Sequence, residues 1–150
     1  MRDIRLAALQ EAPYAFGSAY AREALFTKEQ WLARFHDRAA TYLAYLPGLA
    51  EPAGIGGVYI REDDAGNRSP AVVSMWVRPA ARGQKVGEAL VEAAADWARH
   101  RGFGVLHLGV TESNVVARRL YERCGFTVTG ERQPLPSDPA LSVIDMRRVL

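Results

Sequence analysis

The sequence predicts an α/β (α+β) fold with a mixed, mostly antiparallel central sheet, one parallel βαβ unit and helices on both faces. Residues 71–110 read as strand, amphipathic helix and strand, and such a crossover joins parallel strands with right-handed geometry. Short turns separate the three predicted strands up to residue 78, which favours antiparallel pairing there. The 150 residues suit one domain, so we predict a single domain over residues 1–150.

The N-terminal part of the chain has helical character. Residues 4–10 predict a short helix with apolar side chains on one side. Residues 27–30 read Thr-Lys-Glu-Gln, a capping box in which the first and last side chains exchange hydrogen bonds with the backbone. The helix that follows carries Trp31, Leu32 and Phe35 at helical spacing, so we expect that face to lie in the core.

The rest of the chain alternates between the periods of strands and helices. The predicted strands cover residues 41–46, 54–60, 71–78, 105–110, 126–129 and 141–148. The predicted helices cover residues 87–101 and 114–123, and a glycine closes each of them. Three prolines fall within residues 132–139, which predicts a stiff loop between the last two strands.

Composition excludes several classes of function. The net charge is +2 with scattered arginines, which does not suggest a nucleic-acid-binding surface. No window approaches the ~18 apolar residues of a membrane span, so we expect no membrane partner. Cys124 is the only cysteine, so no intrachain disulfide can form, which fits a cytoplasmic location. We also expect no metal ion.

The stretch at residues 77–90 carries the clearest functional signal. The strand ends at Pro79, and a turn of small residues leads into a helix that opens near Gly87. The first N–H groups of a helix have no internal partner, and the helix dipole adds partial positive charge. Arg82 and Lys85 add full charges, so the turn predicts a phosphate or pyrophosphate site. The alternative is a tight turn that binds nothing. The spacing matches neither a P-loop nor the dinucleotide fingerprint.

Two motifs in this order resemble the GNAT-type N-acetyltransferases. The family's pyrophosphate turn, Arg/Gln-x-x-Gly-x-Gly/Ala, is similar to residues 82–87, and its Asn…Leu-Tyr-x-x-x-Gly-Phe segment is similar to residues 114–126. The resemblance covers residues 71 to about 130. Lys85 replaces the family's usual glycine, which costs about 1 kcal/mol if that position requires a positive φ.

A second departure from the family lies at the start of the chain. The family normally opens with a strand before the first helix, and that strand is missing here. The sheet edge at residues 41–46 is then exposed, covered by a partner, or left open by a truncated start. An open edge favours a homodimer.

The resemblance implies acetyl-CoA as donor and a primary amine, on a small molecule or a peptide, as acceptor. The amine attacks the thioester directly, and backbone N–H donors stabilise the oxyanion. In this alignment the Met75 N–H faces the thioester carbonyl and Val77 bonds the pantetheine arm. The complete expected set of cofactor-binding residues is Met75, Val77, Arg82, Gly83, Gln84, Lys85, Val86, Gly87, Glu88, Asn114 and Tyr121.

Tyr121 is the candidate general acid, because a phenol can protonate the leaving thiolate; the alternative is a core aromatic residue. Glu112 is the candidate base, acting through water, or else a solvated loop acid. His107 lies in mid-strand, which favours a buried, hydrogen-bonded histidine over a catalytic base. Glu23 and Asp138 could attract a cationic amine, but plain surface positions explain each of them better.

The sequence leaves the acceptor amine open, because a fold and a donor site do not specify it. A second hypothesis also remains: a non-catalytic acyl-CoA-binding or regulatory module that retains the cofactor turn without turnover. A nucleotide-phosphate-binding module is a third, more remote reading.

Overall fold

A six-stranded sheet with helices on both faces organises the computed structural model, which describes residues 1–150. Short 3₁₀ turns at Pro13–Ala15 and Pro79–Ala81 supplement the regular elements. In chain order these are α1 (Arg2–Glu11), α2 (Tyr20–Glu23), α3 (Lys28–Leu32), β1 (Ala39–Ala44), β2 (Gly54–Glu62), β3 (Arg68–Val77), α4 (Val86–His100), β4 (Val105–Thr111), α5 (Val115–Arg123), β5 (Thr127–Leu135) and β6 (Asp138–Val149).

The strand order is β1-β2-β3-β4-β6-β5, and only the β3–β4 pair is parallel. The predicted fold class and the single parallel βαβ unit are therefore confirmed. β1 lies at one edge of the sheet and pairs only with β2. Its outer side consequently carries backbone groups without a strand partner.

The two faces of the sheet cover different apolar clusters. On one face, here called the α4 face, buried side chains of α4 such as Val91 pack against Val58, Leu106 and Leu108. On the opposite face, the α1 face, α1 packs Ile4 and Leu9 with residues of β2 and β3. Side chains alternate between the faces along each strand, so sequence position decides which cluster a residue joins.

The segment around α3 follows the prediction only in part. The capping box between Thr27 and Gln30 is present, and Trp31 is buried. The expectation that Leu32 and Phe35 share its core face is wrong, since they are 55% and 54% exposed. α3 has only five residues, which is too short to present a continuous apolar stripe to the sheet.

A buried ion cluster joins α1 and α2 to β3. Glu23 is fully buried, so the reading of it as a surface residue is wrong. Arg5 donates two hydrogen bonds to Glu23, at 3.0 and 2.8 Å, and Arg34 contacts the same carboxylate at 3.1 Å. Arg5 also reaches the Ser74 hydroxyl at 3.4 Å and stacks over the Phe16 ring. A buried charge requires such pairing.

The predicted proline loop at residues 132–139 is a further correction, because most of it belongs to the β5–β6 hairpin. Pro134 pairs in register with Ser142, and the strands connect between Leu135 and Asp138. β5 is an edge strand, where a residue without an N–H is tolerated. At the tip, the Ser137 hydroxyl donates to the Phe16 carbonyl, which fixes the hairpin on the segment between α1 and α2.

None of the helices is both long enough and apolar enough to cross a lipid bilayer.

Candidate active site

The site begins where two parallel strands separate. β3 and β4 pair only through Ala71–His107 and Val72–Leu108, so no ladder joins them beyond Val72. At this point β3 contains an irregularity, because its register with β2 shifts between Ile55 and Gly57. Ser74 takes a positive φ of 58° there, which is unusual for a residue with a side chain. The shift changes which residues of β3 face each side of the sheet.

The turn before α4 presents a run of unpaired backbone donors. The six N–H groups from Gly83 to Glu88 make no hydrogen bond within the protein. Successive free N–H groups at a helix N-terminus form a concave, partly positive site that suits a phosphate. Water alone could also satisfy these donors. The residues of the turn, however, line a cavity as well, and a turn that binds nothing has no use for one.

The backbone of this turn explains the roles of Gly83, Lys85 and Gly87. Lys85 is the N-cap of α4 and has φ 61°, so the positive φ considered from the sequence is present, with its cost of about 1 kcal/mol. Gly83 also has a positive φ, 79°. Gly87 serves a different purpose: a Cβ there would lie 2.8 Å from Leu120 Cδ2. The glycine therefore allows α4 and α5 to approach closely.

A cavity of about 470 Å³ lies between this turn, the end of β3 and α5. Ten of the predicted cofactor-binding residues line it, namely Met75, Val77, Arg82, Gly83, Lys85, Val86, Gly87, Glu88, Asn114 and Tyr121. Gln84 is outside the lining, and its side chain instead donates to the Ala80 carbonyl at 3.3 Å. A second cavity, of about 60 Å³, continues past Met75 and Tyr121 toward Ser74, Gly109 and Thr111.

Tyr121 lines both cavities. Its ring lies edge-on to Phe126 at a centroid distance of 6.1 Å. Burial raises the pKa of the Tyr121 phenol, and the neighbouring Cys124 raises it further. The phenol therefore stays protonated at neutral pH.

Asn114 and Glu112 differ in their relation to the cavity. Asn114 caps α5 by accepting a hydrogen bond from the Ala117 N–H at 3.3 Å, and it also lines both cavities. Glu112 lines neither cavity. Its carboxylate pairs with Arg132 at 2.7 Å, and its side chain is 44% exposed. A base role for Glu112 therefore stays a prediction from the sequence.

Several residues that shape the site have no local sequence signal. Glu11 accepts hydrogen bonds from Trp76 Nε1 at 2.8 Å and from Arg82 at 2.9 Å, which ties the end of α1 to the turn before α4. Thr111 is buried and donates to the Tyr14 carbonyl at 2.7 Å. These contacts join residues far apart in the chain, so no motif could have indicated them.

The Cys124 thiol has a raised pKa, first because of burial and then because of Glu88 and Glu92. Only the thiolate is a good nucleophile, so this environment makes Cys124 a poor nucleophile. No group of three or more His, Cys, Asp or Glu side chains is arranged to hold a metal ion.

Known proteins match this chain at both the sequence and the fold level. The model of the acetyltransferase (GNAT) family matches residues 4–126. The streptothricin acetyltransferase of Streptomyces lavendulae is 41% identical over 66 residues, which are 44% of this chain and 35% of that protein. The chain thus matches about a third of the length of this curated relative.

Solved structures extend the similarity. Nourseothricin acetyltransferase is 31% identical with a TM-score of 0.65, over 75% of this chain and 66% of that one. A GCN5-related N-acetyltransferase from Kribbella flavida is 24% identical with a TM-score of 0.77, over 100% of this chain and 90% of that one. A Salmonella typhimurium protein solved with its cofactor acetyl-CoA is 22% identical with a TM-score of 0.71, over 99% and 86% of the two chains. The last two show the fold alone.

The separation of β3 from β4 and the unpaired N–H groups of the turn agree with the family match over residues 4–126. Because that match covers most of the chain, the chain belongs to the GNAT acetyltransferase family.

Proposed function

We propose that this protein is an N-acetyltransferase that moves the acetyl group of acetyl-CoA to a primary amine by direct attack. The observation that carries the proposal is the run of six unpaired N–H groups from Gly83 to Glu88 at the mouth of the cavity. A pyrophosphate offers acceptor oxygens to several of these donors at once, and the cavity beside them gives the rest of such a ligand a place to bind.

The lining residues fit the rest of the donor. Lys85 adds a positive charge beside the turn, and Arg82 is held in place by Glu11. The pantetheine arm would run along Met75 and Val77, where β3 has no partner strand on the side of β4. The acetyl group would then end near Tyr121, between the two cavities.

Tyr121 is the proposed proton donor to the thiolate that leaves when the C–S bond breaks. Its position at the junction of the two cavities supports this role. Glu112 is the base candidate from the sequence, and its exposed ion pair with Arg132 would place it at the rim, where a proton could pass to solvent.

A small cationic amine is the proposed class of acceptor. The relatives named for streptothricin and nourseothricin support a small-molecule acceptor, although the first match covers under half of this chain. The segment between α1 and α2 and the tip of the β5–β6 hairpin meet through Phe16 and Ser137. This contact would form one wall of the acceptor entrance.

The test is release of CoA thiol from acetyl-CoA with a panel of amines: nourseothricin, spermidine, lysine amide and a short peptide with a free N-terminus. Amine-dependent thiol release, with the mass of the acetylated product, is the expected result. Binding of acetyl-CoA without thiol release for any amine would instead support the non-catalytic acyl-CoA-binding or regulatory module. If the protein does not bind acetyl-CoA at all, both the acetyltransferase and the acyl-CoA-binding hypotheses are excluded.

A homodimer remains a proposal that rests on β1. The sequence from Ala39 to Leu46 carries no charge and no proline, two features that commonly protect an edge strand from pairing. Antiparallel pairing of β1 with a second copy would satisfy its outer backbone groups. We also propose a cytoplasmic setting, which the single free Cys124 supports.

A further inference from the structure

A β-bulge in β3 shapes the place where the two cavities meet. One residue of β2, Gly56, lies opposite two residues of β3, Ser74 and Met75, and this count defines a bulge. Val72 and Met75 are three residues apart, yet both pack against the apolar cluster of the α4 face, where regular alternation would place them on opposite faces. Ser74 lines the smaller cavity and Met75 lines both. The bulge therefore forms part of the wall at their junction.

Ser74 is the strained residue of this bulge. Its φ of 58° lies in the left-handed region that residues with a Cβ rarely adopt. Glycine would take this conformation freely, so a serine here needs contacts that hold it in place. The Ser74 hydroxyl accepts a hydrogen bond from Arg5 Nη1 at 3.4 Å. This contact links the strained residue to α1, on the α1 face of the sheet.

Arg5 is itself held rigidly. Its side chain is 6% exposed, and its Nε and Nη2 donate to the buried Glu23 carboxylate at 3.0 and 2.8 Å. The guanidinium also lies over the Phe16 ring, 4.7 Å from the ring centroid. Because a guanidinium is planar, fixing two of its nitrogens also fixes the third. The position of Nη1 beside Ser74 is therefore set by Glu23.

The same guanidinium contacts a second wall of the smaller cavity. Phe16 directly follows Ala15, which lines both cavities. The Phe16 carbonyl accepts the hydrogen bond of Ser137 at the hairpin tip. Arg5 therefore lies between Phe16, in the segment between α1 and α2, and Ser74, in the bulge of β3. Two walls of the cavity are joined by one buried side chain.

We propose that Arg5 is a positioning residue for acetyl transfer, which holds Ser74 and Phe16 and so fixes the walls between which the amine meets the thioester. This inference rests on the proposed function. Arg5 lines neither cavity, so it acts through Ser74 and Phe16. Transfer requires the attacking nitrogen and the carbonyl carbon to be closely aligned, and a displacement of about 1 Å can lower a rate by about 100-fold. The Glu23 carboxylate serves this arrangement by keeping Arg5 in place.

The experiment measures kcat, and KM for acetyl-CoA, with the most active amine of the panel. Ser74→Ala removes the hydroxyl, and Arg5→Lys replaces the guanidinium by an ammonium, which lacks the fork that reaches Glu23 and Ser74 at once. Each should lower kcat by at least about tenfold, with little change in KM for acetyl-CoA, because the turn that binds the donor lies elsewhere. The double variant should be no slower than the slower single variant, because both changes break the same contact.

Two further comparisons separate positioning from stability. Ser74→Gly should be at least as stable in urea as Ser74→Ala, because glycine takes the positive φ without strain, yet its kcat should stay at least about tenfold below the wild type. The matched control is Arg34→Lys, which makes the same change at a residue that contacts the Glu23 carboxylate but not Ser74. It should lower the free energy of unfolding and leave kcat unchanged. The Ser74 variants leave the ion cluster intact, so they decide the question if Arg5→Lys does not fold.

The opposite results would overturn the inference. Wild-type kcat in either Ser74 variant, or effects that multiply in the double variant, excludes a role for the contact. An equal loss of kcat in Arg34→Lys and Arg5→Lys shows that the ion cluster acts through stability alone. Loss of kcat in Ser74→Ala but not in Arg5→Lys means that Ser74 acts without Arg5. In these cases the wild type is active, whereas a wild type that binds acetyl-CoA but releases no thiol with any amine refutes the proposed function and, with it, this inference.

Discussion

The buried Glu23 carboxylate should contribute more to stability than any surface ion pair of this protein. Burial alone would raise the pKa of Glu23, but the hydrogen bond and charge of Arg5, with Ser18 and Arg34, lower it from 4.5 to about 2. A shift of this size corresponds to about 3 kcal/mol of folding free energy. The side chain is 1% exposed, so solvent screens this interaction little.

The sign of the pH dependence follows from the lowered pKa. The contribution of Glu23 is complete above the unfolded pKa of about 4.5, and it is lost as the pH falls through that range toward about 2. Glu23→Gln should therefore lower the free energy of unfolding by about 3 kcal/mol at pH 7, because Arg5 remains buried without a counter-charge. Toward pH 2 the difference from the wild type should nearly vanish.

Urea unfolding of both proteins at pH 7, 5 and 3 measures this difference. The matched control is Glu62→Gln, whose partner is Arg38 in a pair with side chains 50% and 42% exposed; it should cost less than about 1 kcal/mol. A Glu23→Gln penalty as small as the control, or a penalty of the same size at pH 7 and pH 3, would refute this reasoning.

Two further predictions concern the cavity. Tyr121→Phe should lower kcat by about 100-fold with little change in KM for acetyl-CoA, because it removes a proton donor and retains the ring; an unchanged kcat at saturating substrate would exclude the acid role. Lys85→Gly should raise the free energy of unfolding by up to about 1 kcal/mol, because it relieves a positive φ, and should weaken acetyl-CoA binding most at low salt. Urea unfolding measures the change in stability, and calorimetry at two salt concentrations measures the change in acetyl-CoA binding. A Lys85→Gly variant that is less stable than the wild type would contradict the strain argument.

The sequence was most informative where local chemistry determines structure. The turn at residues 82–87, the capping box and the βαβ order depend on neighbouring residues, and their structural features could be predicted. The motif raised a positive φ at Lys85 only as a condition, and the structure shows that the condition is met.

The misses have a common physical cause. Arg5, Glu23 and Ser74 meet only after the chain folds, so Glu23 looks like an ordinary surface acid in the sequence. Leu32 and Phe35 have the spacing of a core face, but α3 ends before that face can be used. The prolines near residue 134 are compatible with a strand only because β5 lies at the edge of the sheet, which the local sequence does not show.

His107 illustrates the same limit. It is hydrogen-bonded as expected, with Nδ1 3.3 Å from Asp145, but its side chain is 20% exposed and so not fully buried. Arg61 and Thr129 also contact Asp145, and only the strand order brings β2, β4, β5 and β6 together in this way.

Calorimetric titration of acetyl-CoA is the most direct test of the central claim, that the turn from Gly83 to Glu88 binds the donor. The informative variant is Gln84→Glu, which places a negative charge on the turn without adding volume; Gln133→Glu, on the exposed edge strand β5, makes the same change elsewhere. We predict that wild type and Gln133→Glu bind acetyl-CoA with similar affinity and that Gln84→Glu binds at least about tenfold more weakly, a change of about 1.4 kcal/mol. A folded wild type that does not bind, or a Gln84→Glu variant that binds as tightly as Gln133→Glu, would contradict the account.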